Sequence, residues 1–270
     1  MNTRQSIVVT GSTRGIGKGM AADILKRGHN VTISGRTQAA VDLTLIELQS
    51  LATDGARALG IACDVTQGNQ LHALWEASVQ AFGHIDIWVN NAGVSHPRQR
   101  AGAMHEKDMH SVPEINLLGM MLATQIAALG MQAQATGGTI YNMEGYGSNG
   151  MMNPGMSLYG ASKFGLTYFN KALLTELKDS KVRLCYLSPG IVLTDLLLHD
   201  IASTIPAEQE RTQRIYNILA DTVETVTPWL VDNILMPQKS GTRIAWLTDA
   251  KAGQRFIMSL FKKRKLFNAP

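Results

Sequence analysis

Tyr159 and Lys163 stand four residues apart in Tyr159-Gly160-Ala161-Ser162-Lys163. On a helix that spacing puts both on one face, about 6 Å apart. A phenol, with an ordinary pKa of about 10, is a poor acid–base group at neutral pH. A neighbouring ammonium stabilises the phenolate and lowers that pKa. Such a pair can pass a proton to or from a substrate oxygen. The spacing alone also describes an ordinary surface Tyr–Lys pair. Its weight comes from its distance downstream of a glycine-rich loop.

That loop, Thr10-Gly11-Ser12-Thr13-Arg14-Gly15-Ile16-Gly17, follows a strand-like run and opens a helix-period stretch. Gly11 can make the tight turn. Gly15 and Gly17 let backbone approach a pyrophosphate and let the helix pack on a sheet, and the helix N-terminus presents unpaired N–H groups to the phosphates. Ser12, Thr13, Arg14 and Ile16 share the loop and are expected to border the dinucleotide. The plain alternative is an ordinary glycine-rich strand–helix connection. The end of the second strand chooses the cofactor. An NAD site places an acid there for the ribose 2′-hydroxyl, whereas this chain has Ser34-Gly35-Arg36-Thr37. Arg36, with Arg14 from the other side, can fork onto a 2′-phosphate through charge-assisted bonds. NADP(H) is therefore the expected cofactor. Asp64 and Val65 end the third strand, where the adenine would lie. Asp64 either accepts from the adenine amino group or caps the helix before Thr66. Asn90-Asn91-Ala92-Gly93 ends the fourth strand. Asn90, Ala92 and Gly93 are expected to let the chain pass close to a ribose while tying strands together.

These residues need a scaffold that gathers strand ends. Strands are expected over residues 6–10, 30–34, 56–63, 85–90, 138–143, 182–187 and 243–247. Helices are expected over 15–27, 38–52, 67–82, 106–131 and 157–178, with broken helical sequence over 207–236. Strands joined by helices pair in parallel, so the fold class is α/β, a single-domain Rossmann fold with a doubly wound sheet. Uniformly apolar strands such as Ile7-Val8-Val9 fit a sheet covered on both faces. No repeat or linker divides the chain. One domain over residues 1–250, followed by a basic tail over 251–270, is the expected organisation.

The chain has 270 residues, of which 45% are hydrophobic and 17% charged. That composition is too apolar for disorder and sufficient to bury a core. Two cysteines, Cys63 and Cys185, exclude a disulfide framework and a CxxC metal site, and no metal is expected. No apolar run reaches the roughly 20 residues of a membrane-spanning helix. The first residues carry neither a signal nor a transit pattern, so a cytoplasmic setting is expected. The net charge is +4, and Lys262-Lys263-Arg264-Lys265 closely follows Arg255. A solvated tail is the plain reading. The alternative is contact with an anionic membrane surface or a partner, because Phe256, Ile257, Leu260, Phe261, Leu266 and Phe267 are interleaved with the charges. The rest of the chain has no basic stripe, so nucleic-acid binding is not expected.

Thr10–Gly17, Asn90–Gly93, Asn116, Tyr159–Lys163 and Ser188-Pro189-Gly190 together resemble the short-chain dehydrogenase/reductase family over about residues 5–250. The resemblance implies a sheet of about seven strands and an NAD(P)-dependent carbonyl–alcohol reaction. It implies Tyr159 as proton donor or acceptor, and Lys163 as the residue that binds the nicotinamide ribose and tunes Tyr159. Asn116 would hold a water in the proton relay. Pro189, Gly190 and Val192 would border the nicotinamide, with Thr194 near its carboxamide. One position departs from the pattern. The family usually has a serine thirteen residues before its tyrosine, where this chain has Tyr146. Aligned from the strand instead, Gly145 fills that place, with one extra residue in the loop. Ser148 is the nearest hydroxyl. Either the loop bends to present Ser148, which is the favoured reading, or no serine polarises the carbonyl.

Asn142-Met143-Glu144-Gly145-Tyr146-Gly147-Ser148 resembles the Asn-Met-Asp/Glu-Gly-x-Gly-Ser run of the chlorophyll(ide) b reductase branch. Residues 85–93, Leu187-Ser188-Pro189-Gly190 with Thr194-Asp195-Leu196-Leu197, and Trp246-Leu247-Thr248 resemble the same branch. That branch reduces the 7-formyl group of chlorophyll b to 7-hydroxymethyl with NADPH. The expected substrate is thus a bulky apolar carbonyl such as chlorophyll b or chlorophyllide b. The transit peptide or membrane anchor of plant members is not seen, so a bacterial relative or a mature form is expected. Tyr146, Met151, Met152, Met156, Leu193, Leu196, Leu197 and Leu198 suit either such a substrate or plain core. A homo-oligomer is expected. Two other readings stay open: a general short-chain reductase of another bulky apolar aldehyde or ketone, and a non-catalytic NADP-sensing scaffold. The missing serine slightly favours the scaffold. Asn116, Tyr159 and Lys163 argue against it, because a sensor has no need of all three.

Overall fold

The computed structural model describes residues 4–202 and 206–266. Strand and helix alternate from the start: β1 (Ser6–Val9), α1 (Gly15–Lys26), β2 (Asn30–Gly35), α2 (Gln38–Gln49), β3 (Ala58–Ala62), α3 (Gly68–Phe82) and β4 (Ile87–Asn90). There follow α4 (Glu106–Pro113), α5 (Met120–Ala133), β5 (Gly138–Met143), α6 (Ser157–Glu176) and β6 (Val182–Ser188). The chain continues with β7 (Val192–Leu193), α7 (Asp195–Ala202), α8 (Pro206–Leu219), β8 (Asp221–Thr222), α9 (Val223–Leu235), β9 (Arg243–Ala245) and α10 (Asp249–Ser259). Seven strands form one parallel sheet in the order β3-β2-β1-β4-β5-β6-β9. The order reverses between β1 and β4, and at such a switch point the loops splay apart and leave a crevice for a ligand.

Alternation along β1 divides the core. Ile7 and Val9 join the apolar layer that includes Met20, Ile24 and Leu230, and Val8 joins the opposite layer with Leu71, Leu74 and Trp88. Burial on both faces explains why these strands read as continuous apolar runs.

The helix expected over 106–131 runs from Glu106 to Ala133 with a π-helical segment, Glu114–Gly119, between α4 and α5. Pro113 lacks the N–H that would continue the ladder, and the next turn widens. By length and composition this helix could cross a membrane, contrary to the expectation that no segment would qualify, and half of its apolar window is buried. It packs on α3, β4 and β5.

The C-terminal region corrects a second expectation. Residues 249–259 form α10, and residues 260–266 continue along the protein. Phe267 lies outside the described residues. Arg255 and Arg264 both reach the carboxylate of Asp221 at 2.7 Å, and the Trp246 Nε1–H donates to it at 2.6 Å. Burial works against the Asp221 charge, but the bonds from Trp246, Arg255 and Arg264 hold its pKa below the usual value. Two of the basic residues read as solvated are thus structural.

Candidate active site

The loop after β1 presses onto the end of β4. A Cβ on Gly11 would lie 2.7 Å from the Ala92 Cα, and one on Gly17 would lie 2.5 Å from the Asn91 Nδ2. Only glycine permits these approaches. Asn91 fastens the contact, donating from Nδ2 to the carbonyls of Thr10 and Gly11 at 2.9 Å each. Arg14 precedes α1 without a side-chain cap, which leaves the first-turn amides and the positive end of the helix dipole facing the switch point. Thr194 closes over this loop, its Cγ2 3.4 Å from the Cβ position of Gly15. Arg14 and Arg36 are exposed, and their side chains have no ion-pair or hydrogen-bond partner among the described residues. Bare helix amides and close-packed glycines fit a dinucleotide, and the two guanidinium groups stand uncommitted beside them.

Not every residue expected at this end faces it. Ser12 is fully buried. Its hydroxyl donates to the Val9 carbonyl at 2.6 Å and accepts from the Ser34 N–H at 2.9 Å, and its own N–H donates to the Ser34 carbonyl. It ties the loop to β2, and its hydroxyl and N–H are committed to these partners. Asn90 is likewise buried. Its Nδ2 donates to Thr124 and Asn142, and its Oδ1 accepts from the Trp88 Nε1–H. Both side chains brace the scaffold. Asp64 caps the next turn, its Oδ1 accepting from the Thr66 N–H and hydroxyl. Val65 is buried against Gly119. Ile16 packs on the core, and Thr13 covers Gly35 at the end of β2. Pro189 and Val192 are buried, whereas Gly190 is exposed against Leu247. The Thr194 hydroxyl accepts from the Leu197 N–H at the start of α7.

At the other end, Tyr159 and Lys163 occupy one face of α6, with the Lys163 Nζ 5.9 Å from the phenol ring centroid. Lys163 is buried and donates to the Met143 carbonyl at 3.2 Å. Burial pulls its pKa down to about 8, against the opposing charge of Glu144. Glu144 is itself held by Arg243 at 2.7 Å, and Arg243 also donates to the Ser188 hydroxyl. Gly93 brings Asn116 and Lys163 together: its Cβ position lies 3.2 Å from the Asn116 Oδ1 and 3.9 Å from the Lys163 Nζ. The Asn116 side chain accepts from the Val94 N–H and donates to the Val94 carbonyl and the Ser162 hydroxyl. These bonds make the side chain a brace between the π-helical segment and the β4 loop.

The open question of the serine resolves in favour of the alignment from the strand. Gly145 is the residue that faces the Tyr159 hydroxyl, 2.5 Å from its Cβ position. A turn returns the chain, with the Ser148 N–H donating to the Gly145 carbonyl and the Ser148 hydroxyl accepting from the Gly145 N–H, both at 3.1 Å. Ser148 is buried rather than solvated, and its O–H has no acceptor among the described residues. Gly147 makes this possible. It has φ +92°, and its Cβ position lies 2.6 Å from the Gly160 Cα, so the turn lies flat on α6.

Sequence reasoning missed His96. This buried residue accepts from the Tyr159 N–H at Nε2, across 63 residues, and its Nδ1–H donates to the Pro97 carbonyl. It therefore positions the start of α6, and no local pattern signals it. Arg98 donates to the Tyr216 hydroxyl and also faces Tyr146, whose pKa burial raises and Arg98 lowers. The apolar residues expected near substrate divide. Met152 is 94% exposed and Met151, Leu196 and Leu198 are also exposed, whereas Met156 is core.

A family model described as short chain dehydrogenase matches residues 5–203. The chain is 36% identical to chlorophyll(ide) b reductase NOL of Arabidopsis thaliana over 93% of its own length and 72% of that protein. It is 34% identical to the probable chlorophyll(ide) b reductase NYC1 of the same plant over 98% of its own length, yet it spans only 55% of that longer protein. Carbonyl reductase family member 4 of Xenopus laevis is 33% identical over 70% of this chain and 75% of its own. A crystal structure of a short-chain type dehydrogenase/reductase from Mycobacterium marinum superposes with a TM-score of 0.77 at 26% identity, covering 89% of this chain and 93% of that one.

Proposed function

Because the chain belongs to the short-chain dehydrogenase/reductase family of oxidoreductases, we propose that it reduces a carbonyl to an alcohol with NADPH, and that the carbonyl is the 7-formyl group of chlorophyll b or chlorophyllide b. The observation that carries this reading is the meeting of the Tyr159 hydroxyl with Gly145, beside the buried Lys163. The likeness to chlorophyll(ide) b reductases over nearly the whole chain supports the substrate. The uncommitted Arg14 and Arg36 support NADPH over NADH.

Bound in the cradle, the reduced nicotinamide supplies hydride. Tyr159 delivers the proton from its hydroxyl to the substrate oxygen. Lys163, charged below its pKa of about 8, stabilises the phenolate left behind. The unspent Ser148 O–H donates to the same oxygen as negative charge builds there. Arg14 and Arg36 hold the 2′-phosphate, and the first-turn amides of α1 hold the pyrophosphate.

The test is NADPH oxidation by the parent and by Tyr159→Phe, with chlorophyll b, chlorophyllide b and a panel of smaller aldehydes and ketones. The expected result is turnover of the formyl tetrapyrroles that the Phe variant abolishes while still binding NADPH. Turnover confined to small carbonyls would overturn the substrate. Undiminished turnover in Tyr159→Phe would overturn the proton donor.

A further inference from the structure

Helix α10 is inside-out. Lys251, Arg255 and Ser259 are partly covered by the protein, whereas Phe256, Ile257, Leu260 and Phe261 along α10 and the turn after it are exposed. Leu260 and Phe261 are 80% and 87% exposed, and α10 buries no residue at all. A surface helix of a globular protein normally turns its apolar stripe inward. Here charge does the anchoring. Arg255 is fastened to Asp221, and the Lys251 Nζ stands 3.1 Å over the Trp246 ring. The apolar face is left as an unpartnered patch, and such patches on soluble folds mark contact surfaces.

The rim of the patch says what covers it. Lys262, Lys263 and Lys265 follow directly, all exposed and without an ion pair among the described residues, while Arg264 between them turns inward to Asp221. No acidic residue occurs in the sequence after Asp249. A second copy of this face would bring the same lysines and, after Asp249, no acidic residue to meet them. A surface with anions above an apolar interior satisfies both features: lysines at the headgroups, phenylalanines and leucine at the acyl boundary.

We propose that α10 and the lysines after it dock the protein on an anionic lipid membrane. The anchor reaches the catalytic half of the molecule. Asp221 lies in β8, which pairs with β7 at Val192, and α10 packs on α8. The docking face is thus tied to the loop expected to border the nicotinamide. The inference stands whatever the substrate is.

The full chain is pelleted with vesicles of phosphatidylcholine alone, or of equal parts phosphatidylcholine and phosphatidylglycerol. The expected result is salt-sensitive binding to the anionic vesicles and none to the neutral ones. Replacing Lys262, Lys263 and Lys265 together by Gln should weaken it about 100-fold, at about fivefold per lysine. Leu260→Gln with Phe261→Gln should weaken it about tenfold or more. All five side chains are exposed, so the variants should melt at the parental temperature. Absence of binding, equal binding to both vesicles, or parental binding by the variants would overturn the proposal. So would a light-scattering mass that halves in the Leu260/Phe261 variant, since α10 would then be an interface between copies.

Discussion

Replacing Lys163 by methionine should stabilise the cofactor-free protein while ending catalysis. Lys163 is 4% exposed, and burial pulls its pKa from 10.5 to about 8 against the opposing charge of Glu144. Each pH unit of difference between folded and unfolded states corresponds to about 1.4 kcal/mol. Holding this charge inside the fold therefore costs about 3 kcal/mol at neutral pH. Methionine keeps the unbranched stem and removes the charge. It also strips the Met143 carbonyl of its 3.2 Å donor, which returns about 1–2 kcal/mol. The net expectation is a variant more stable by about 1–2 kcal/mol. The pH dependence has a defined sign. Because the folded pKa lies below the unfolded one, the unfolded chain holds more protons between about 8 and 10.5, and parental stability gains across that window. The penalty is full below it. The variant has no such contribution, so the gap between the two proteins should close as pH rises. Urea unfolding followed by tryptophan fluorescence, from neutral pH to about pH 10, measures the gap. A variant less stable than the parent at neutral pH, or a gap that does not change with pH, would refute the reasoning. A buried tyrosine without a charge contact to Lys163, such as Tyr141, is shared by both proteins and cancels in the difference.

NADPH should bind more tightly than NADH, and Arg36→Asp should narrow or reverse the difference, since a lost charge-assisted contact is worth about ten- to a hundredfold; fluorescence titration with both cofactors checks it, and equal parental affinities would defeat it. Ser148→Ala should lower turnover about 10²–10³-fold with cofactor affinity unchanged. Parental turnover in that variant would leave Tyr159 alone to polarise the carbonyl. His96→Ala should lower kcat and leave the KM for NADPH in place, and His96→Gln should restore activity because its amide oxygen can accept from the Tyr159 N–H. Equal losses in both variants would mean that His96 only fills space.

The chemistry at both ends of the site was readable where it depended on neighbours in the chain. Tyr159 and Lys163 share a face because of the helical repeat. Strands β1, β2, β4, β5 and β6 agree with the expected ranges within a residue or two because each is a short run rich in β-branched and apolar residues bounded by turn or helix signals. Helix α10 was missed because its inward face is the polar one, so its amphipathic pattern reads as a solvated tail. The pairing of β7 with β8 rests on only two residues from each strand, too short for a local signal.

By itself, the sequence determined the order of strands and helices, the glycines that a strand–turn–helix phosphate loop requires, and the tyrosine–lysine pair, because periodicity and backbone freedom act over a few residues. Tertiary structure decided what each remaining side chain has left to offer. Ser12 and Asn90 carry the right groups in the right motifs, yet their partners on β2, β5 and α5 consume them. Gly145 rather than Tyr146 faces the Tyr159 hydroxyl, with Gly147 lying against Gly160, a contact that spacing along the chain does not encode. His96 reaches Tyr159 from another loop altogether. A hydrogen-bonding group is available or spent according to which segments pack around it, and that depends on contacts between residues far apart in the chain.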